Sequence, residues 1–341
     1  MSNAFITPKV LQWAIERSSL SSNIVAEKAK VKVDQLTSWL KGDARPRFNQ
    51  AEKLARVLHV PFGYLFLSSP PEEKPALPDL RTFRDVNLPQ SFSADFYELL
   101  SNVLVKQQWY QGYLHEEGAK SLKFIGRFKK EDESISIAED IAKTLNINRK
   151  FRQDARSWED FLGKLIRQAE SEGILVLRSG IVGSQTRRTL SVQEFRGFNI
   201  CDKLAPLIFI NGRDAKAAQI FTFAHELAHL WIGESGISNQ DIGKPKKNKS
   251  QKIESLCDLV AAELLVPEKQ FLEDWQAGIS IENNLKKLVR HYRVSSVVIL
   301  RRAYELKKIS RDDFFASYKQ EQEKYKSKTE RKGGGNYYLN L

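Results

Sequence analysis

Cysteine is scarce in this chain, with only Cys201 and Cys257 among 341 residues. Two cysteines cannot build a disulfide framework, which excludes the stapled secreted domains and predicts two reduced thiols. No run approaches eighteen consecutive apolar residues, and the N-terminus shows neither a signal-peptide core nor a small-residue cleavage site. Membrane-spanning and secreted readings therefore fall away, and a cytoplasmic protein is expected. Histidine is also sparse, with 5 in the whole chain, so any two at ligand spacing carry information.

The length predicts two or three domains. Hydrophobic residues at 41% and charged residues at 28% are ordinary globular composition, which excludes a wholly disordered, collagen-like or repeat-only chain. Lys plus Arg number 54 against 42 Asp plus Glu, a net charge of +12. That excess fits a polyanionic partner, but it fits a solvated basic surface equally well. Residues 1–67 carry 10 basic and 5 acidic side chains, a balance of +5.

Four prolines within residues 68–78 forbid a continuous helix or a central strand and predict a linker. The expected organisation is a helical head over 1–67, this linker, a larger domain over 79–320, and a polar tail over 321–341 that is not packed as a domain and whose end reads as a natural truncation or a fragment. In the head, helices are expected at 9–17, 23–29, 33–41 and 49–58. Beyond the linker they are expected at 93–112, 135–145, 158–171, from Asp214 as N-cap through the next apolar run, and at 252–266, 281–292 and 295–308. Strands are expected at 174–177, 194–200 and 206–210, with a loop over 180–190. The fold class is α+β, mostly α, with a small sheet.

The most informative residues are His225-Glu226-Leu227-Ala228-His229, a match to H-E-x-x-H. Helix positions i and i+4 lie about 40° apart, so both imidazoles leave one face and can bind one metal ion, with Glu226 beside them to take a proton from an activated water. Chance predicts on the order of 0.009 such matches in a chain of this composition, so coincidental packing of two histidines is the weaker reading. A catalytic zinc site needs a third protein ligand. The metzincin arrangement would place glycine and histidine where Ile232 and Ser235 stand, so that subtype is excluded. Downstream, Glu254 is the favoured third ligand over Glu263, with Asp258 supporting a ligand histidine. Zinc is the expected ion, with manganese or iron able to use the same ligands.

With these residues in view, the chain resembles the ImmA/IrrE family of HExxH metallopeptidases in the subgroup carrying an N-terminal XRE-type helix-turn-helix. The resemblance runs through Phe195 to Ile200, Ala205 to Asn211, Phe221 to Leu230, Ile253 to Pro267 and Val294 to Ala303. It implies a zincin-like peptidase domain in which His225, His229 and Glu254 hold the metal and Glu226 is the general base. Asp258 stands where the family often has Asn.

In the head, Gln35 to Gly42 followed by Arg45-Pro46 resembles the XRE recognition helix and its exit turn. In that geometry Lys32, Asp34, Gln35 and Ser38 face base edges, whereas Lys41, Arg45 and Arg47 touch phosphate. Leu36 and Trp39 are expected in the core. A second basic pair, 281–292 and 295–308, is read as packing behind the peptidase core with its charges solvated. His291 is then structural, with a place near the substrate oxyanion as the alternative, His59 and His115 have no constellation, and the lysine-rich 244–249 is a surface loop.

Two readings follow. One is a zinc-dependent metalloendopeptidase with a head that binds duplex DNA, cutting a protein substrate such as a cognate transcriptional repressor or antitoxin. The other is a non-proteolytic DNA-binding repressor or antitoxin whose metal is structural. A structural site needs the two histidines but no base between them, so Glu226 favours the enzyme.

Overall fold

The computed structural model describes residues 3–18, 20–58, 60–71, 92–238 and 249–330. The fold is α+β and mostly helical, with a small mixed sheet. The described residues form two compact units, and the division between them falls within one helix, α5 (Ala94–Glu116), after Val103. The first unit therefore contains more than residues 1–67. The proline-rich segment is described only as far as residue 71, and the lysine-rich 244–248, His59 and the end of the tail from 331 lie outside the described residues.

The first unit opens with four helices, α1 (Pro8–Arg17), α2 (Ser22–Ala29), α3 (Val33–Lys41) and α4 (Phe48–Val57), and a 3-10 turn over Phe62–Phe66. The Ser21 hydroxyl accepts the Ile24 N–H and starts α2, the N-cap role that short hydroxyl side chains serve. Lys30, with φ 58°, ends α2, and Gly42, with φ 82°, ends α3. Leu11, Val25, Leu36, Trp39, Leu54 and Leu65 share one apolar core.

The second unit carries α6 (Ser134–Thr144), α7 (Arg149–Gln153), α8 (Trp158–Ser171), β1 (Leu175–Ser179), β2 (Ile181–Val182), β3 (Gln185–Thr189), β4 (Gly197–Ile200), β5 (Leu207–Asn211) and α9 (Lys216–Ile232). Then follow β6 (Gly236–Ser238), α10 (Lys249–Leu265), α11 (Glu268–Asp274), α12 (Ile281–Tyr292), α13 (Ser296–Glu305) and α14 (Arg311–Glu330). The sheet order is β1-β5-β4-β6, with β1 parallel to β5 and β4 antiparallel to both neighbours. No helix among the described residues is long and apolar enough to cross a membrane.

Two expectations need correction. The segment expected as a loop over 180–190 contains the antiparallel pair β2 and β3. Asp214 is not the N-cap of α9; Ala215 is, and Asp214 instead accepts its N–H at 2.8 Å and pairs with Arg196 at 2.9 Å. Helix α14 runs on to Glu330, the last described residue.

Candidate metal centre

Helix α9 positions the motif because it is buried on every side: each residue from Ala217 to Ile232 is buried. A helix apolar all round belongs in a core, so the polar side chains it carries there need a purpose. Gly233 ends it with φ 84°, and a Cβ at that point would lie 2.9 Å from the Gly126 Cα. Only glycine fits that crossing.

His225 and His229 leave the same face of α9, with their Nε2 atoms 3.1 Å apart. Glu254 of α10 closes the set: its Oε2 lies 3.3 Å from His225 Nε2 and its Oε1 3.3 Å from His229 Nε2. The three donor atoms lie within 4.8 Å of one another, and all three residues are buried. Asp258, one turn further along α10, sits 3.0 Å from His225 Nδ1. It orients the ring so that Nε2 presents its lone pair to the centre.

The electrostatics follow from this crowding. Burial alone would lower the His225 pKa, but hydrogen bonds to Asp258 and Glu254 and their charges push it from 6.5 up to about 10. Burial alone would raise the Glu254 carboxyl, but the two imidazoles hold it well below the usual carboxylate range. Buried charge survives only when paired. Two imidazole nitrogens and a carboxylate facing one point are the donor set of a divalent ion of the zinc class, so the residues fit a metal.

Glu226 is fully buried on α9. Its neighbour on β4 is Gly197, where an added Cβ would stand 3.1 Å from Glu226 Oε1, 2.9 Å from the Phe209 carbonyl and 2.6 Å from Thr222 Cγ2. The bare glycine lets α9 lie against the sheet with the Glu226 carboxylate in place. On the far side, Asn199 donates to the Glu234 carbonyl at 2.9 Å and accepts the Gly236 N–H at 3.0 Å, holding the chain as it leaves α9. Cys201 contacts the His229 carbonyl at 3.6 Å, and burial pushes its thiol up to about 12. Gly197 and Asn199 lie in the Phe-Arg-Gly-Phe-Asn-Ile segment, but nothing in their spacing announces a role, which only the close approach of α9 reveals.

Glu263 does not join the centre. It lies nine residues beyond Glu254, about 180° around the helix, where it pairs with the buried Arg302 and accepts the Glu268 N–H at 3.1 Å. Arg302 accordingly departs from the expected solvated face, being only 6% exposed. His291 contacts Asp274 at 3.2 Å and stacks edge-on against Tyr292, and His115 is exposed.

In the first unit, Lys32, Asp34, Gln35, Lys41, Arg45 and Arg47 are exposed and Ser38 is half-buried, while Leu36 and Trp39 are in the core. Gln35 Oε1 accepts the Lys32 N–H at 3.3 Å, capping α3, and the Ser38 hydroxyl donates to the Asp34 carbonyl at 3.0 Å. Arg45 lies over the Phe5 ring, 3.9 Å from its centroid. Arg47 sits beside Asn3 in an isolated bridge.

Residues 169–304 match the family model described as the IrrE N-terminal-like domain, an M78 peptidase family. The match spans β1 to α13 and includes His225, Glu226, His229, Glu254 and Asp258. It supports a peptidase domain over that part of the chain and, with the three-residue cluster, a metal ion. Among curated proteins, none matches the chain.

Proposed function

We propose that the protein is a zinc-dependent endopeptidase, with manganese or iron as alternative ions, that cuts a regulatory protein such as a repressor or antitoxin. The observation that carries this reading is the joint placement of His225, His229 and Glu254 around one point with Glu226 beside them on the same buried helix. A bound divalent ion would supply Lewis acidity, polarising a peptide carbonyl and acidifying a water. His225, His229 and Glu254 would hold the ion. Glu226 accepts the proton of the attacking water at a carboxylate oxygen and returns it to the leaving amine nitrogen. Asp258 keeps the His225 tautomer fixed.

The first unit supports a DNA-binding role through its basic balance and the exposure of Lys32, Gln35, Lys41, Arg45 and Arg47 along and after α3. Duplex DNA is thus a second partner, and cleavage is coupled to regulation. The test is incubation of the metal-loaded chain with the repressor or antitoxin encoded beside its gene. A cut that requires both the metal and Glu226 supports the reading; metal retention without any cut, together with DNA binding, favours the non-proteolytic repressor.

A further inference from the structure

The second unit holds a cavity of about 350 Å³ apart from the metal centre, between α6, the end of α10 and α11. Its walls are apolar, with Ala138, Ala142, Ile147, Leu264 and Leu272 prominent among them. One polar group at its edge is out of balance. Arg152 is 97% removed from solvent, its relative exposure being 3%, and it lines the same cavity. Its guanidinium makes one good hydrogen bond, Nη2 to the Leu264 carbonyl at 2.8 Å, and one long contact, Nη1 to Gln270 at 3.5 Å. Its Nε is buried without a hydrogen-bond partner, and among the described residues no carboxylate pairs with it. Burial presses its pKa down to about 10.

A buried guanidinium without an anion is costly, and a carboxylate is the group whose planar pair of oxygens best matches its fork of donors. Glu263, which also lines the cavity, is not that anion, because Arg302 and the Glu268 N–H already occupy it. The rim adds selectivity. Glu139 and Glu268 stand there against the single Lys269, so a phosphate or other dianion is disfavoured while a single negative charge placed on Arg152 is tolerated.

We propose that this cavity binds a small amphipathic monocarboxylate, with its carboxylate on Arg152 and its hydrocarbon chain along Ala138, Ala142, Ile147, Leu264 and Leu272. The volume suits a ligand of this size. Leu264 lies on α10, the helix that also carries Glu254. The site nonetheless stands independently of the peptidase reading.

The experiment is calorimetric titration of the full chain with octanoate, and separately with octanol, octylamine and octyl phosphate. Octanoate should bind at least about ten-fold more tightly than each of the others, because only it gives the guanidinium a single matching charge and keeps the chain. Arg152→Met should lose that preference. Since this variant also removes the Leu264 contact and can unfold, Leu272→Asp serves as the second variant. Leu272 is 41% exposed, so the substitution should leave the protein folded, which the thermal melt checks, while placing a negative charge against the ligand, and octanoate affinity should fall by about ten-fold or more. Absence of octanoate binding, equal binding of octanol, tighter binding of octylamine or octyl phosphate, or unchanged affinity in a folded Leu272→Asp protein would each overturn the proposal.

Discussion

Asp258 and His225 pair across two helices in the candidate metal centre, with the carboxylate oxygen 3.0 Å from Nδ1. That contact converts the spacing of two segments, one on α9 and one on α10, into a single fixed ring orientation. It gives a direct expectation. Asp258→Ala should keep the fold but weaken metal affinity by about 10–100-fold, read by competition with a chelator; unchanged affinity would remove Asp258 from the centre.

His229→Ala takes away one of the three donors and should abolish retention of the ion, whereas Glu263→Gln should not touch it, because Glu263 faces Arg302. Elemental analysis of the two purified variants distinguishes them. Equal metal in both would contradict the assignment.

Glu226→Gln conserves shape but cannot accept a proton. Metal content should be that of the parent chain, while cleavage of the cognate protein should drop by about 10²–10⁴-fold. Gly197→Ala is expected to act on the same residue from the sheet side. The added methyl meets the Phe209 carbonyl and Thr222 within 2.9 Å, and overpacking of this kind costs about 1–3 kcal/mol. Its thermal melt should fall and its cleavage should fall further than its metal content does.

The metal centre also sets a pH dependence. In the metal-free chain the His225 pKa is raised from 6.5 to about 10, so the stability it contributes is complete below 6.5 and is lost as pH rises towards 10. Glu254 is shifted the other way from 4.5, so its contribution is present above 4.5 and lost on acidification. A bound divalent ion replaces the proton and inverts the first trend. Thermal melts should show the metal-stripped chain weakening between pH 6.5 and 10, with the loaded chain holding steady there and releasing its ion as the pH drops. Identical profiles would contradict this linkage.

For the first unit, binding of the full chain to duplex DNA should fall steeply with salt. Arg45→Ala should weaken all sequences alike and lower the salt slope by about one, while Gln35→Ala should chiefly change sequence preference. Electrophoretic mobility shifts across a salt series measure both, and binding unaffected by either variant would detach α3 from DNA.

Much of this was legible in the sequence where a local signal and tertiary packing agree. Helix α8 carries its own start and stop, a Ser157 hydroxyl accepting the Asp160 N–H and Gly173 with φ 87° just past the end, and periodicity places it between the same residues. The two candidate histidine donors are legible because ligand spacing on one helix is a geometric statement, whereas Glu254 stands on a separate helix that only the fold brings to them. Legibility failed where the pattern is short or polar. β2 and β3 are joined through Gly183 and carry Arg187 and Arg188, so they read as loop. Pro267 ends α10 but also stands as N-cap of α11, a double duty that a stop signal conceals. The polar α14 lacks an apolar stripe to announce it. The cost of a Cβ at Gly197 depends on β4, β5 and α9 meeting at one place, and no single segment encodes that.

The most direct test of the central claim is X-ray absorption spectroscopy at the zinc edge on the full chain loaded with one equivalent of zinc. Ligation by His225, His229 and Glu254 predicts a first shell of nitrogen and oxygen scatterers alone, at about 2.0–2.2 Å, with the two-imidazole signature lost in His229→Ala. A sulfur shell at about 2.3 Å, from Cys201 or Cys257, or failure of the chain to hold the ion, would contradict it.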